Sequence, residues 1–180
     1  MATIDPTLSA IVALGLALLF ASSAVHKLAE WPKFCAALTD YRLSPAWMSP
    51  ALACAVVALE LTAAVLLPPV ASRPLAALVA ASLLCAYAGA IGLNLRRGRT
   101  RLDCGCLGAG ARKTIGSWMV VRNLLLAGLA LIAALPVSDR PLTALDALSI
   151  GAAVACLAIL YGTIEVLQQV PTGSAGRSSS

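Results

Sequence analysis

Five apolar runs, at 7–25, 51–70, 75–95, 117–135 and 143–167, make up most of this chain, and each approaches the roughly twenty residues an α-helix needs to cross a bilayer. Hydrocarbon offers no water to the backbone, so a spanning segment must satisfy its own N–H and C=O groups, which an α-helix does alone. Composition agrees: 60% of residues are hydrophobic, 12% are charged and the mean hydropathy is +0.90, against roughly half apolar and about a quarter charged in soluble domains. Aromatics are only 4% while Ala and Leu dominate, which suits close helix packing through small residues. The expectation is an all-α, polytopic membrane helix bundle in a single domain over 1–170, with no room for a separate soluble domain and no membrane barrel. The Gly/Ser-rich stretch 171–180 reads as a flexible tail.

Proline marks the helix ends: Pro50 opens the second run, Pro68-Pro69 and Pro74 separate the second and third, and Pro136 and Pro141 bracket the loop after the fourth. The second and third helices must then form a tight antiparallel hairpin. No Lys or Arg precedes the first run, so although Ala21-Ser22-Ser23-Ala24 resembles a cleavage site, the run is expected to stay as a helix.

With five spans, the loops after helices one and three share a face with the carboxyl terminus. That face carries Lys27, Lys33, Arg42, Arg96, Arg97, Arg99, Arg101, Arg112, Lys113, Arg122 and Arg177, and the opposite face only Arg73 and Arg140. The positive-inside rule makes the first of these cytoplasmic. The net charge of +5 therefore reads as membrane orientation and contact with the lipid bilayer, and not as nucleic-acid binding, for which no basic stripe with interleaved aromatics is present. Within the first loop, 26–49, Trp31, Phe34, Leu38 and Tyr41 recur at helical spacing, which predicts a short interfacial helix with aromatic anchors.

Chemistry is concentrated in one place. Cys104-Gly105-Cys106 sets two thiols one residue apart between the third and fourth runs, and Gly105 lets the backbone turn far enough to bring the sulfurs together. A disulfide closing so small a ring is strained and hence oxidising. Arg96, Arg97, Arg99 and Arg101 favour a thiolate there, while Asp103 opposes it. Cys35, on the same face, is the natural third thiol; Cys54, Cys85 and Cys156 fall inside spans and read as small buried hydrophobes. The competing reading is a metal clip of Cys104, Cys106, Cys35 and His26, but these lack the paired spacing of a structural zinc site, so no metal is expected.

Glu60 lies near the middle of the second run, where an ionisable group costs at least about 2.5 kcal/mol on insertion scales unless paired or protonated. It should face the bundle interior, with Arg122 or Asn123 as partner, or His26 or Lys27 if a helix tilts or the long side chain snorkels. Two roles are open for it: a proton relay or quinone-head contact beside the thiols, or an interhelical hydrogen-bonded staple. A lone His26 at a helix end is ordinarily a cap. No phosphate loop, paired catalytic carboxylates or Ser/His/Asp order is present.

Taken together, the run Phe20-Ala21-Ser22-Ser23-Ala24-Val25-His26-Lys27, Tyr41-Arg42-Leu43, the intramembrane Glu60, Asp103-Cys104-Gly105-Cys106-Leu107-Gly108 and Val121-Arg122-Asn123 resemble the MauE family of methylamine-utilisation membrane proteins, grouped with DoxX-like redox-associated membrane proteins. The resemblance covers residues 8–136. It implies a DoxX-like four-helix core with a fifth transmembrane helix alongside, in the bacterial inner membrane. It also implies a part in maturing the disulfide-rich beta (small) subunit of methylamine dehydrogenase beside a thioredoxin-like MauD-type protein. Cys104 and Cys106, with Cys35 as a third thiol, would then perform thiol-disulfide exchange, supported by Gly105, Glu60, Arg122, Asn123, His26 and Lys27. No cofactor is required, although a quinone could serve as electron acceptor. The alternative is a non-enzymatic scaffold or transport component with structural or metal-binding cysteines. The charge count puts the thiol pair on the cytoplasmic side, whereas the implied role favours the periplasmic side; the residues leave this open.

Overall fold

The computed structural model describes residues 3–42, 45–98 and 116–169, with side chains as far as 163. Within these residues the protein is helical: α1 (Pro6–Ala29), α2 (Trp31–Asp40), α3 (Ser49–Leu66), α4 (Arg73–Arg96), α5 (Ser117–Ala133) and α6 (Ala144–Gln169). A 3-10 turn at Ala46–Met48 leads directly into α3. Four segments are long and apolar enough to span a bilayer: α1, Ala46–Leu66, α4 and the first part of α6. This is a polytopic helical membrane protein. The fourth apolar run, expected over 117–135, begins at Ser117 as expected but ends at Ala133, where the chain turns away before Pro136. Seventeen residues of helix extend about 25 Å, a little less than the hydrocarbon thickness.

Local chemistry accounts for the breaks. Asp5 caps α1 by accepting from the Thr7 N–H at 2.8 Å, with Pro6 in the first turn where its missing N–H costs nothing. Pro32 removes a donor and crowds the preceding turn, so α1 and α2 are separate helices hinged at Glu30. At the end of α4, Gly98 takes the left-handed conformation with φ +70° and donates to the Leu95 carbonyl at 2.9 Å, ending the helix.

The α3–α4 hairpin expected from Pro68, Pro69 and Pro74 is present, and Arg73 locks it. This guanidinium is buried; its Nε donates to the Leu67 carbonyl at 3.1 Å and its second terminal nitrogen to the Pro68 carbonyl at 2.6 Å, satisfying acceptors that α3 leaves open at its end. Its other terminal nitrogen reaches Ser9 of α1 at 2.8 Å. Read from sequence, Arg73 was only a loop charge; the structure makes it a three-way tie between helices.

At this same end Ile4 pairs with the segment after α5, its N–H donating to the Pro136 carbonyl and its own carbonyl accepting from Ser138. Arg140 bridges Asp5 of the α1 cap and Asp146 of α6. The start of α1, the α3–α4 turn, the end of α5 and the start of α6 thus lie together. The other end gathers α2 and the facing termini of α4 and α5, where Tyr41 packs with Ile91, Leu95, Met119 and Val120. This matches the alternation of faces read from the five runs.

Between the two ends the core is built mainly of small residues. Ala63, Ala76, Ala77, Ala80, Ala127 and Ala130 pack around Phe20, Leu67 and Leu84, so the helices approach closely, as hydrocarbon-embedded bundles require. The outward faces carry exposed Leu61, Val65, Leu78, Leu125, Leu148 and Ile159, which suit contact with lipid tails. Cys54, Cys85 and Cys156 also lie on exposed faces and not in the interior as expected. In a bilayer the outward face demands apolarity as much as the core does, so hydrophobicity alone does not separate the two. Phe34, in α2, and Tyr41, at its carboxyl cap, turn inward and are buried, so they hold the helix against the bundle.

Candidate functional site

A cluster of polar side chains lies buried where α1, α3 and α4 meet. Glu60 enters from the middle of α3, and the side chains of Glu60 and Lys27 are 1% and 0% exposed. Lys27 stands in the last turn of α1, and its side chain runs back toward the helix amino terminus, the direction helix geometry gives every Cα–Cβ bond. Its ammonium lies 2.5 Å from Glu60 Oε1 and donates also to Ser23 Oγ at 2.7 Å, one turn earlier on α1. Ser23 Oγ donates to Glu60 Oε1 at 2.9 Å and Tyr87 Oη, from α4, to the same oxygen at 2.7 Å. Three donors therefore converge on one carboxylate oxygen.

Two aromatic faces complete the enclosure. The Lys27 ammonium sits 5.4 Å from the Phe34 ring centre and 5.2 Å from that of Tyr87, within the distance at which a desolvated cation gains about 2 kcal/mol from an aromatic face. Since Phe34 belongs to α2, the site ties four helices.

Glu60 Oε2 is buried without a hydrogen-bond partner among the described residues, and so is Arg122 Nε. Both line one small cavity with Ser23, Tyr87, Asn123 and Tyr161. Its volume is about 20 Å³, room for one water molecule bounded by polar groups. Beside it, sharing Leu19 and Tyr161, an apolar groove of about 270 Å³ runs between α1 and α6 past Gly15, Leu157, Ser22 and His26.

The expected partners of Glu60 thus divide. Lys27 makes the ion pair, having reached inward as its long stem allows. Arg122 faces the same cavity without pairing to Glu60, and Asn123 donates to the Met119 carbonyl of its own helix at 2.8 Å. His26 is exposed at the edge of the groove. Ser23 and Tyr87 were not singled out in the sequence. Ser23 stood in a small-residue run that suggested cleavage chemistry, and Tyr87 was a single aromatic in an apolar helix. The available signal was spacing: Ser23 is four residues before Lys27 and so shares its face.

Cys35 is half-buried and packs with Trp31 and Leu38 against Phe34, Ala53, Val56 and Val57. Burial pushes its thiol pKa up, and the nearby Cys54 pushes it further. Cys35 therefore has less thiolate than an unperturbed cysteine. Cys104, Gly105 and Cys106 lie outside the described residues. The segment that carries them joins α4 to α5, both of whose adjoining ends pack around Tyr41 at the α2 end of the bundle.

Comparison with known proteins places residues 5–136 under a family model described as "Methylamine utilisation protein MauE". A protein named methylamine utilization protein MauE from Methylophilus methylotrophus is 34% identical over 169 residues, covering 93% of this chain and 89% of the relative. One of the same name from Paracoccus denitrificans is 37% identical over 116 residues, 64% of this chain and 62% of the relative. Another from Paracoccus versutus is 39% identical over 157 residues, 87% of this chain and 84% of the relative. No solved structure matches the chain.

Proposed function

Because the chain belongs to the MauE family of methylamine-utilisation proteins, we propose that it is an inner-membrane thiol-disulfide redox protein supporting maturation of the methylamine dehydrogenase beta subunit, with a thioredoxin-like MauD-type partner. The observation that carries this reading is the Cys104-Gly105-Cys106 pair in the sequence of the segment that joins α4 to α5. One thiolate of the pair attacks a disulfide of the partner and forms a mixed disulfide, releasing one partner thiolate. The second thiol, after losing its proton, displaces the other partner sulfur. The products are a loop disulfide and a partner dithiol, two electrons having passed to the partner; the reverse sequence oxidises the partner. The Lys27–Glu60–Ser23–Tyr87 cluster acts as the staple that holds α1, α2, α3 and α4 in register. A lipid-soluble quinone is the proposed electron acceptor, for which the apolar groove between α1 and α6, edged by Ser22 and His26, offers a site.

The test is maturation of the beta subunit in cells carrying a Cys104→Ser, Cys106→Ser double variant that reaches the membrane in normal amount. Thiol exchange requires that active dehydrogenase be lost. Full maturation by the double variant would instead support a scaffold that needs the protein but not its thiols.

A further inference from the structure

We infer that the polar cavity beside Glu60 and the apolar groove next to it form one binding site for a membrane-soluble quinol, and that this site prefers the reduced, hydroxyl-bearing form to the quinone. The inference deepens the reading of the groove as a quinone site and rests on it; it does not rest on thiol exchange. The Glu60 side chain is only 1% exposed, and its Oε1 already accepts from Lys27, Ser23 and Tyr87. Its Oε2, a carboxylate oxygen that can only accept, has no partner among the described residues. Arg122, which lines the same cavity, leaves its Nε without a partner among them, and that N–H can only donate. The cavity therefore holds one unmet acceptor and one unmet donor. A hydroxyl group serves both, donating to Glu60 and accepting from Arg122, whereas a quinone carbonyl serves Arg122 alone.

A single water would meet the same two groups; the groove is what points to a larger ligand. Its volume of about 270 Å³ is near the lower end of small-molecule sites. From Gly15 to His26 it follows α1 for about 16 Å, and exposed Leu18 and Leu157 open it toward lipid. Leu19 and Tyr161 line both spaces and so form the partition between them. The spanning part of α6, which carries Tyr161, holds no fully buried residue, so displacing that ring breaks no packed core. The ring and tail of the quinol lie in the groove, and one hydroxyl passes Tyr161 into the cavity. A ligand shifts an equilibrium by its differential affinity, so a tighter hold on the reduced form makes bound quinone a stronger electron acceptor than free quinone.

The full-length protein in lipid nanodiscs, its thiols alkylated so that no electrons pass, is titrated anaerobically by calorimetry against an empty-nanodisc blank. Cys35, Cys54, Cys85 and Cys156 line neither the cavity nor the groove. The probes are a decyl-substituted benzoquinol, the matching quinone and the dimethyl ether of the quinol. The quinol should bind about tenfold or more tightly than either of the others, the effect of one hydrogen bond to a charged group. This comparison needs no variant to fold. Glu60→Gln offers an amide N–H in place of Oε2 and should erase or reverse the preference. Gly162→Leu, at a glycine where an added Cβ meets nothing within 4 Å, fills the groove and should abolish binding of quinol and quinone alike. Equal affinity for the two forms, or tighter binding of the quinone, would overturn the inference and leave the groove reading standing; binding of none of the three would overturn both. A quinol preference unchanged in folded Glu60→Gln would remove Glu60 from the site. Decanol binding as tightly as the quinol would make this a site for hydroxyl-bearing lipids and sink the quinol assignment.

Discussion

Removing one partner of the Lys27–Glu60 pair should destabilise the bundle far more than removing both. Lys27→Met takes away the ammonium at 2.5 Å from Glu60 and its two aromatic contacts, but leaves the carboxylate with donors from Ser23 and Tyr87. Glu60→Leu leaves a buried ammonium with Ser23 at 2.7 Å and a long contact to Tyr87 at 3.4 Å. An uncompensated buried charge costs about 3–5 kcal/mol when its partner is removed. Insertion scales give a similar size, about 2.5–3.5 kcal/mol for a lone charge at the membrane centre. We expect about 3 kcal/mol for Lys27→Met, whose residual carboxylate keeps two donors, and about 4 kcal/mol or more for Glu60→Leu. The Lys27→Met, Glu60→Leu double variant should cost about 2 kcal/mol or less, because matched apolar replacements of buried pairs are often near neutral. Adding the single costs would give about 7 kcal/mol, so the coupling should be several kcal/mol, larger than most neighbouring pairs show. Reversible unfolding in mixed micelles, followed by circular dichroism, measures all four corners of the cycle. Additive single costs, or singles each below about 1 kcal/mol, would refute the staple argument.

Three further outcomes follow from the same contacts. Tyr87→Phe keeps the ring that faces Lys27 but removes the donor to Glu60, and should cost about 1.5–3 kcal/mol in the same unfolding assay. Arg73→Lys should recover little of the loss caused by Arg73→Ala, which we place at about 2–3 kcal/mol, because an ammonium cannot serve Leu67, Pro68 and Ser9 with the planar spread of a guanidinium. At the exposed cap, the Thr7 backbone N–H first and then Arg140 hold the Asp5 pKa below its ordinary 3.8, while the hydrogen bonds that Arg140 donates to Asp146 and Asp5 raise its own. The depressed folded value means that Asp5 contributes stability above 3.8, which is lost as pH falls through the lower folded value. Asp5→Asn should therefore flatten the acid limb of the unfolding midpoint against pH, and an unchanged limb would contradict the assignment.

Much of this architecture was legible in the residues. Apolar length gave the spans and proline their ends, since both act through the local chain and the solvent around it. Glu60 was legible because its cost in hydrocarbon admits few solutions, all facing inward. What was not legible depends on which faces meet. Arg122 and Asn123 stood first as partners on paper, with Lys27 only by snorkelling, and it is the reach of Lys27 along α1 that makes the pair. Tyr87 and Arg73 gain their roles from helices distant in sequence. Cys54 was assigned to the interior by its span, yet it lies on an exposed face, which apolarity alone does not distinguish. The inward turn of Phe34 likewise follows from the cation above it, which no spacing within α2 announces.

The central claim is that Cys104 and Cys106 cycle between dithiol and disulfide as the protein works. The most direct measurement is acid quenching of cells growing on methylamine, followed by sequential alkylation with two mass-distinct reagents before and after reduction. The account predicts a population in which both cysteines are alkylated only after reduction, as one linked pair, and a shift of that population when the thioredoxin-like partner is removed. Finding both as free thiols under every condition, with beta-subunit maturation intact, would contradict it.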